Sequence, residues 1–300
     1  MRVRVNGSVR RPLQEMAAAM RLRSSLIISL LFVAAAAHAG VEGGVAAHAR
    51  QDYAAALKEW LPLAKAGDPG AQNNVGTLYL DGAGMPRDEA AAYAWFKKAA
   101  VQGLGAAQYN LALMYQEGRG VAADAQEAFK WSRKAAAQGD ADAQNWLGAM
   151  ARQGVAGGPD PKESTQWFEQ AAAQGHAGAQ ANLALLYARG EGVPQDLRQA
   201  AQWFRKAAEQ GHVDAQTNLG LMYARGEGLE KDYAQAREWL LKAAGSGALA
   251  AQNILASMYE IGIGVPVDTQ KALQWYRKAG AQGDKKAVAK IMQISENQAH

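Results

Sequence analysis

The chain contains no cysteine. That excludes disulfides, thiolate zinc sites, iron–sulfur clusters and a cysteine nucleophile, and it leaves no residue for bacterial lipoprotein acylation. Serine is sparse after residue 39, where only Ser132, Ser164, Ser246, Ser257 and Ser295 occur, and none has a lysine three residues later. No G-x-S-x-G, S-x-x-K or H-E-x-x-H pattern is present, so no catalytic residue is assigned and no enzyme is expected. No run of basic residues alternates with aromatics. The apolar stretch Leu26–Ala37 is shorter than the roughly 20 residues a membrane span requires.

What that stretch does fit is an export signal. Arg21 and Arg23 precede it, and Ala37-His38-Ala39 places small residues around a cut before Gly40. An uncleaved anchor is the alternative reading. Residues 1–19 form an unusually long basic prelude, and Met20 would open a more ordinary signal than Met1. Export points to a periplasmic or secreted protein, with no stable membrane span once the signal is removed. The full chain carries +4, but residues 1–39 hold six arginines and one glutamate, so the remainder sits near −1. A nearly neutral chain has no general field to attract nucleic acid, and no nucleic-acid partner is expected.

What the remainder has is a period. Ala-Gln pairs end at Gln72, Gln108, Gln144, Gln180, Gln216 and Gln252, always 36 residues apart. Asp (Asp52 to Asp268), Trp (Trp95 to Trp275) and Gly (Gly67 to Gly283) keep the same beat. A fixed period of this size marks a stacked repeat array rather than one compact core.

Each unit reads as two helices. Counting the periodic glutamine as position 0, apolar or small residues at positions 3, 4, 6 and 7 form one helical face, as in Val75, Gly76, Leu78 and Tyr79. Gly or Ala at position 4 permits close approach of another helix. A G-x-G loop follows, supplying a left-handed cap. It comes after a helix rather than a strand, which argues against a phosphate loop. The periodic Asp then caps a second helix, and Glu or Gln three residues later completes a capping-box pattern at Asp124, Asp160, Asp196 and Asp232. The Asp row is therefore structural rather than a carboxylate array. In the second helix Ala92, Trp95 and Ala99-Ala100 exemplify a stripe expected to be buried, with the Trp row packing between repeats. Residues 46–66 are expected as one lone second helix and 284–295 as a terminal cap helix, giving 14 helices with the six pairs.

The matches Gln72-x₂-Val75-Gly76-x₂-Tyr79 and Gln216-x₂-Leu219-Gly220-x₂-Tyr223 follow the tetratricopeptide pattern with Gln for Trp. With the added G-x-G-V loop and the endings Trp95–Ala100, Trp203–Ala208 and Trp239–Ala244, the chain resembles the Sel-one-like repeat (SLR) family. The resemblance implies an all-α solenoid of antiparallel helix pairs in a right-handed superhelix. The leader pattern and the period together divide the chain into a signal peptide (1–39), a lead-in and half-repeat (40–70), six repeats (71–283) and a cap helix with tail (284–300). The resemblance also implies a protein-interaction scaffold or adaptor with a protein or peptide partner; a monomer without a cofactor is expected. Some exported relatives have been linked to penicillin binding or hydrolysis, so a cell-envelope enzyme or binder acting on β-lactam or peptidoglycan is the alternative. Those relatives are cysteine-rich and this chain is not.

Positions that vary between repeats are free to recognise a partner. In the first helix these are positions 1, 2, 5, 8 and 9, the face that lines the concave groove in tetratricopeptide-like arrays. Position 2 reads Asn74, Asn110, Trp146, Asn182, Asn218 and Ile254, an amide ladder suited to an extended peptide backbone. Solvated or intramolecularly bonded Asn is the alternative. Near the helix end Asp81 and Glu117 give way to Arg152, Arg189 and Arg225, a stripe that could seat an acidic segment unless Glu191 and Glu227 neutralise it. Trp146 is either an exposed anchor or a filler where Ala151 replaces the usual Tyr. His176 and His212 are in phase, but two histidines without a carboxylate cluster make a poor metal site and read as helix-start residues. No metal site is assigned.

Overall fold

The computed structural model describes residues 40–154 and 158–299. The leader 1–39, with the signal-peptide reading and the two candidate start sites, lies outside the described residues. Among the described residues all regular structure is helical: α1 (residues 40–49), α2 (Tyr53–Ala66), α3 (Pro69–Asp81), α4 (Glu89–Val101), α5 (Gly105–Glu117), α6 (Ala125–Ala137), α7 (Ala141–Gln153), α8 (Pro161–Ala173), α9 (Ala177–Arg189), α10 (Leu197–Glu209), α11 (Val213–Arg225), α12 (Tyr233–Gly245), α13 (Leu249–Ile261), α14 (Thr269–Ala281) and α15 (Lys285–Ala299). The chain falls into two compact units that divide after Asp124.

The caps fall where the period puts them. Asp88 accepts the Ala91 amide, and Asp196 accepts those of Arg198 and Gln199. Each satisfies donors that a helix start leaves orphaned. The reciprocal half of the capping box does not form in α8, α10 or α12. The amides of Asp160, Asp196 and Asp232 already donate to the carbonyls of Ala151, Tyr187 and Tyr223 at the end of the preceding helix. Glu163 instead accepts the indole N–H of Trp167 at 3.2 Å. The second glycine of the G-x-G loop has a purpose beyond its positive φ. A Cβ on Gly228 (φ 72°) would lie 2.1 Å from the Leu197 carbonyl oxygen, so the loop can seat on the start of α10 only without a side chain.

The residues 40–66 correct the expected lone helix. The backbone breaks at Gln51, whose φ is 62°, and Asp52 restarts it as α2. The added helix α1 lays Ala47 and Gly44 against Trp60, whose indole N–H donates to the Val41 carbonyl at 3.1 Å. Among the described residues, fifteen helices therefore stand where 14 were expected.

The buried stripe of the second helix is also shifted by one residue. Position 24, not the Trp at position 23, points inward: Trp60, Phe96, Phe168, Phe204, Leu240 and Tyr276 are at most 5% exposed. Four residues separate position 24 from position 20, which is Ala in every copy except Ser164, so the two share a face. Where position 4 of the facing helix is glycine, the large residue fills its space. A Cβ on Gly148 would lie 2.7 Å from the Phe168 ring. The Trp residues lie at the edge of this face, mostly half-buried, and they do bridge repeats. Trp203 packs on the cluster of Phe168, Leu183 and Leu186 as well as on its own. Lysines three residues on cover the outer indole faces, with Lys206 3.9 Å above Trp203 and Lys242 4.1 Å above Trp239.

The periodic glutamine emerges as a polar brace. All six are at most 7% exposed. Each donates its Nε2–H to the alanine carbonyl eight residues earlier, as Gln180 does to Ala172 at 3.3 Å and Gln216 to Ala208 at 3.1 Å. Those carbonyls lie in the last turn of the preceding helix, where each also accepts the periodic glycine's amide, as Ala172 does from Gly175 at 3.0 Å, so the glutamine supplies a second donor. Oε1 of Gln180 in turn accepts from Gln210 at 2.8 Å, and the pairs Gln102–Gln72, Gln174–Gln144 and Gln282–Gln252 repeat this. The brace ties each of these helix pairs to the next.

Candidate functional site

The candidate residues sit on α3 and α5 in the first unit and on α7, α9, α11 and α13 in the second. In these helices positions 3, 4 and 6 are buried, whereas positions 2, 5, 8 and 9 are partly or fully exposed; position 1, expected on the same face, is instead buried at Ala181 and Thr217 and bonded internally at Asn73 and Asn145. The face is thus set by what stacking leaves over.

The structure uses three of the four candidate asparagines internally. In the first unit Asn110 donates its amide to Asn73 Oδ1 at 2.9 Å. In the second, Asn182 donates to Asn145 Oδ1 at 3.0 Å. Both bonds join position 2 of one repeat to position 1 of the repeat before it. Asn218 finds Ala181 at that spot and instead donates to the Asp214 carbonyl of its own helix at 2.8 Å. Asn74 has no such neighbour among the described residues, and its carboxamide makes no hydrogen bond within them. It borders a cleft of about 200 Å³ lined also by Val45, His48, Trp60 and Thr77.

The arginines divide in a similar way. Arg189 and Arg225 end α9 and α11, are exposed, and reach Glu191 and Glu227 at 3.4 and 3.5 Å. Exposed pairs at that distance are weak, so the guanidinium groups stay available for exchange. Arg152 is the penultimate residue of α7 and so stands about 100° around its helix from the position of the other two. It is partly buried and has no ion-pair partner among the described residues. Trp146 is partly buried.

Both histidines cap helices. Nδ1 of His176 accepts the Ala179 amide at 3.0 Å, and Nδ1 of His212 accepts the Ala215 amide at 3.3 Å. His176 Nε2 then faces Asp142 Oδ1 at 3.0 Å, so the ring bonds at both nitrogens. Among the described residues, no group of three or more His, Asp or Glu side chains is arranged to hold a metal ion. None of the described helices is long and apolar enough to cross a membrane.

The repeated helix pairs, the inter-repeat braces and the exposed variable face define an α-helical repeat solenoid. Family comparison makes the class specific. The Sel1 repeat model matches residues 69–104, 105–140, 141–176, 177–212, 213–247 and 249–284, and the chain belongs to that family. The structure is similar to that of a Sel1 repeat protein from Oxalobacter formigenes, with 33% identity and a TM-score of 0.74 over 80% of this chain and 96% of that one. It is also similar to c5321, a protective antigen present in uropathogenic Escherichia coli strains that displays an SLR fold. There the identity is 34% and the TM-score 0.78, over 90% of this chain and 58% of that one. Comparison with curated proteins returned no match. Sel1 repeat solenoids are commonly protein-interaction scaffolds and are generally non-catalytic.

Proposed function

We propose that the protein is exported and acts as a monomeric adaptor, holding a protein or peptide partner against the exposed variable face of its first helices, α3 and α5 in the first unit and α7, α9, α11 and α13 in the second. One observation carries this reading. On these helices positions 3, 4 and 6, which keep one residue type or size in every repeat, are buried in stacking, while positions 2, 5, 8 and 9, which change from repeat to repeat, are left partly or fully accessible. The Arg189 and Arg225 guanidinium groups, held only by weak exposed pairs, suit an acidic segment or a carboxylate terminus. The leader pattern supports export to the periplasm or beyond, and N-terminal sequencing of protein from the cell envelope should begin at Gly40.

The test is affinity capture from the envelope fraction, run for the wild type beside Arg152/Arg189/Arg225→Glu. A partner captured by the wild type and lost by the triple variant supports the face and its basic seat. A partner retained by both keeps the adaptor and moves its site. Absence of any specific partner overturns the adaptor reading.

A further inference from the structure

We infer that the cleft beside Asn74 is an anchor pocket for one apolar side chain of an extended peptide, with the Asn74 carboxamide holding the adjoining peptide unit. The inference deepens the adaptor reading and rests on it for the identity of the ligand class. It starts from the register of the asparagine ladder. Where a repeat has an asparagine at position 1, the next repeat's position-2 amide is taken by it, as in Asn110–Asn73 and Asn182–Asn145. The ladder ends at Asn74, whose carboxamide offers a donor and an acceptor and has no hydrogen bond within the described residues. A peptide unit presents the complementary acceptor and donor.

The rest of the cleft selects the size and polarity of the occupant. A volume of about 200 Å³ corresponds to about six or seven waters at roughly 30 Å³ each. That is room for a single medium-sized side chain, and it falls below the range of about 300–1,000 Å³ typical of small-molecule pockets. Two of the polar groups in its walls are already bonded. The Trp60 indole donates to Val41 and the Thr77 hydroxyl donates to the Asn73 carbonyl at 3.2 Å. Val45 is 52% exposed there, and the His48 ring lies over Trp60 with centroids 5.8 Å apart. Those walls offer apolar surface with one free carboxamide at the rim, together with the His48 ring. The cleft is continuous with the face assigned to the partner, because Asn74 is the first member of that face.

The probes are N-acetyl-leucine methylamide, its glycine analogue and free leucine, titrated into the ¹⁵N-labelled full chain while the Trp60 indole and Asn74 carboxamide resonances are followed. The leucine probe should shift both saturably, and the glycine analogue should bind more weakly by at least about fivefold. Asn74→Ala should weaken the leucine probe by about fivefold, the effect of one lost hydrogen bond. Its melting midpoint should not move, since the substitution removes no intramolecular bond. Equal response to the glycine analogue, no response at these resonances, or unchanged binding by Asn74→Ala overturns the proposal. Free leucine binding as well as the blocked probe overturns it in favour of a small-molecule site. Failure of the two readings is separable. A partner captured from the envelope with no probe response removes the pocket and keeps the adaptor. A probe response with no captured partner keeps the pocket as a peptide site.

Discussion

Ser246→Gln should stabilise the second unit, and the reason lies in a brace that is missing one strut. Gln216 is 7% exposed and donates to Ala208, but its buried Oε1 has no hydrogen-bond partner. At Gln72, Gln144, Gln180 and Gln252 that oxygen accepts from a glutamine thirty residues later. The residue thirty after Gln216 is Ser246, whose hydroxyl is too short to cross and turns to the Lys242 carbonyl at 3.3 Å. A buried acceptor left unpaired costs about 1–3 kcal/mol, and ordering an exposed glutamine side chain costs up to about 1.5–2 kcal/mol. The net gain from Ser246→Gln should therefore be about 0.5–1.5 kcal/mol.

Because neighbouring repeats need not unfold together, a global melt is a blunt readout. Amide exchange of α13, which follows this junction, gives the local free energy. A double-mutant cycle with Gln216→Leu isolates the bond, since the gain should vanish when the acceptor is gone. A gain that survives in the Gln216→Leu background, or no gain at all, would refute the brace argument. Gln180→Ala provides the converse. It loses both bonds of a complete brace and should cost about 1 kcal/mol more than Gln216→Ala, which has one bond to lose.

The fold was legible in the sequence because each repeat is an independent copy of the same local code. Asp196 before α10 and Gly190 after α9 announce their helices without reference to anything distant. What the period could not show is how one repeat meets the next. Position 24 varies among Phe, Leu, Tyr and Trp, with Ser at Ser132, and so shows no period beside the Trp that recurs in all six repeats. Its burial follows from packing against position 4 of the facing helix, a contact between two positions that no single helix pattern contains. The glutamine brace was hidden for the same reason, since it spans eight residues backward and thirty forward. On the candidate face, Asn74, Asn110, Asn182 and Asn218 look alike in sequence. They differ because the residue 37 positions earlier differs: Asn73 for Asn110, Asn145 for Asn182, Ala181 for Asn218. The break at Gln51 had no periodic counterpart from which it could be read.

The remaining predictions concern close contacts, a buried hydroxyl and acid. Gly228→Ala should cost more than about 3 kcal/mol, since its Cβ would collide with the Leu197 carbonyl, whereas Gly211→Ala, with open space around it and a φ of 88°, should cost about 1 kcal/mol; similar denaturation midpoints for the two would refute the close-approach argument. Ser132 is fully buried with an unpartnered Oγ, so Ser132→Ala should leave stability unchanged or raise it by about 1 kcal/mol, and a loss above that size in urea denaturation would contradict it. Acid should release α15 before the rest of the second unit. Two carboxyls hold that helix. Burial alone would raise the Glu260 carboxyl, but hydrogen bonds from Lys290 at 2.8 Å and Tyr276 at 2.7 Å outweigh it and place it below the usual range. Asn253 and the amides of Ala287 and Lys286 hold the Asp284 carboxyl below its usual range as well. A carboxyl depressed in the folded state contributes stability that is complete above its unfolded value and lost as pH falls through the folded one. The window therefore opens below about pH 4.5. Exchange protection of the Ala287 and Val288 amides should fall there while that of α11 persists. Glu260→Gln, which retains hydrogen-bonding atoms but no charge, should shrink the pH dependence while lowering protection at neutral pH. Protection of α15 that stays flat from pH 6 down to pH 3.5 in the wild type would show that these two carboxyls do not hold the terminal helix.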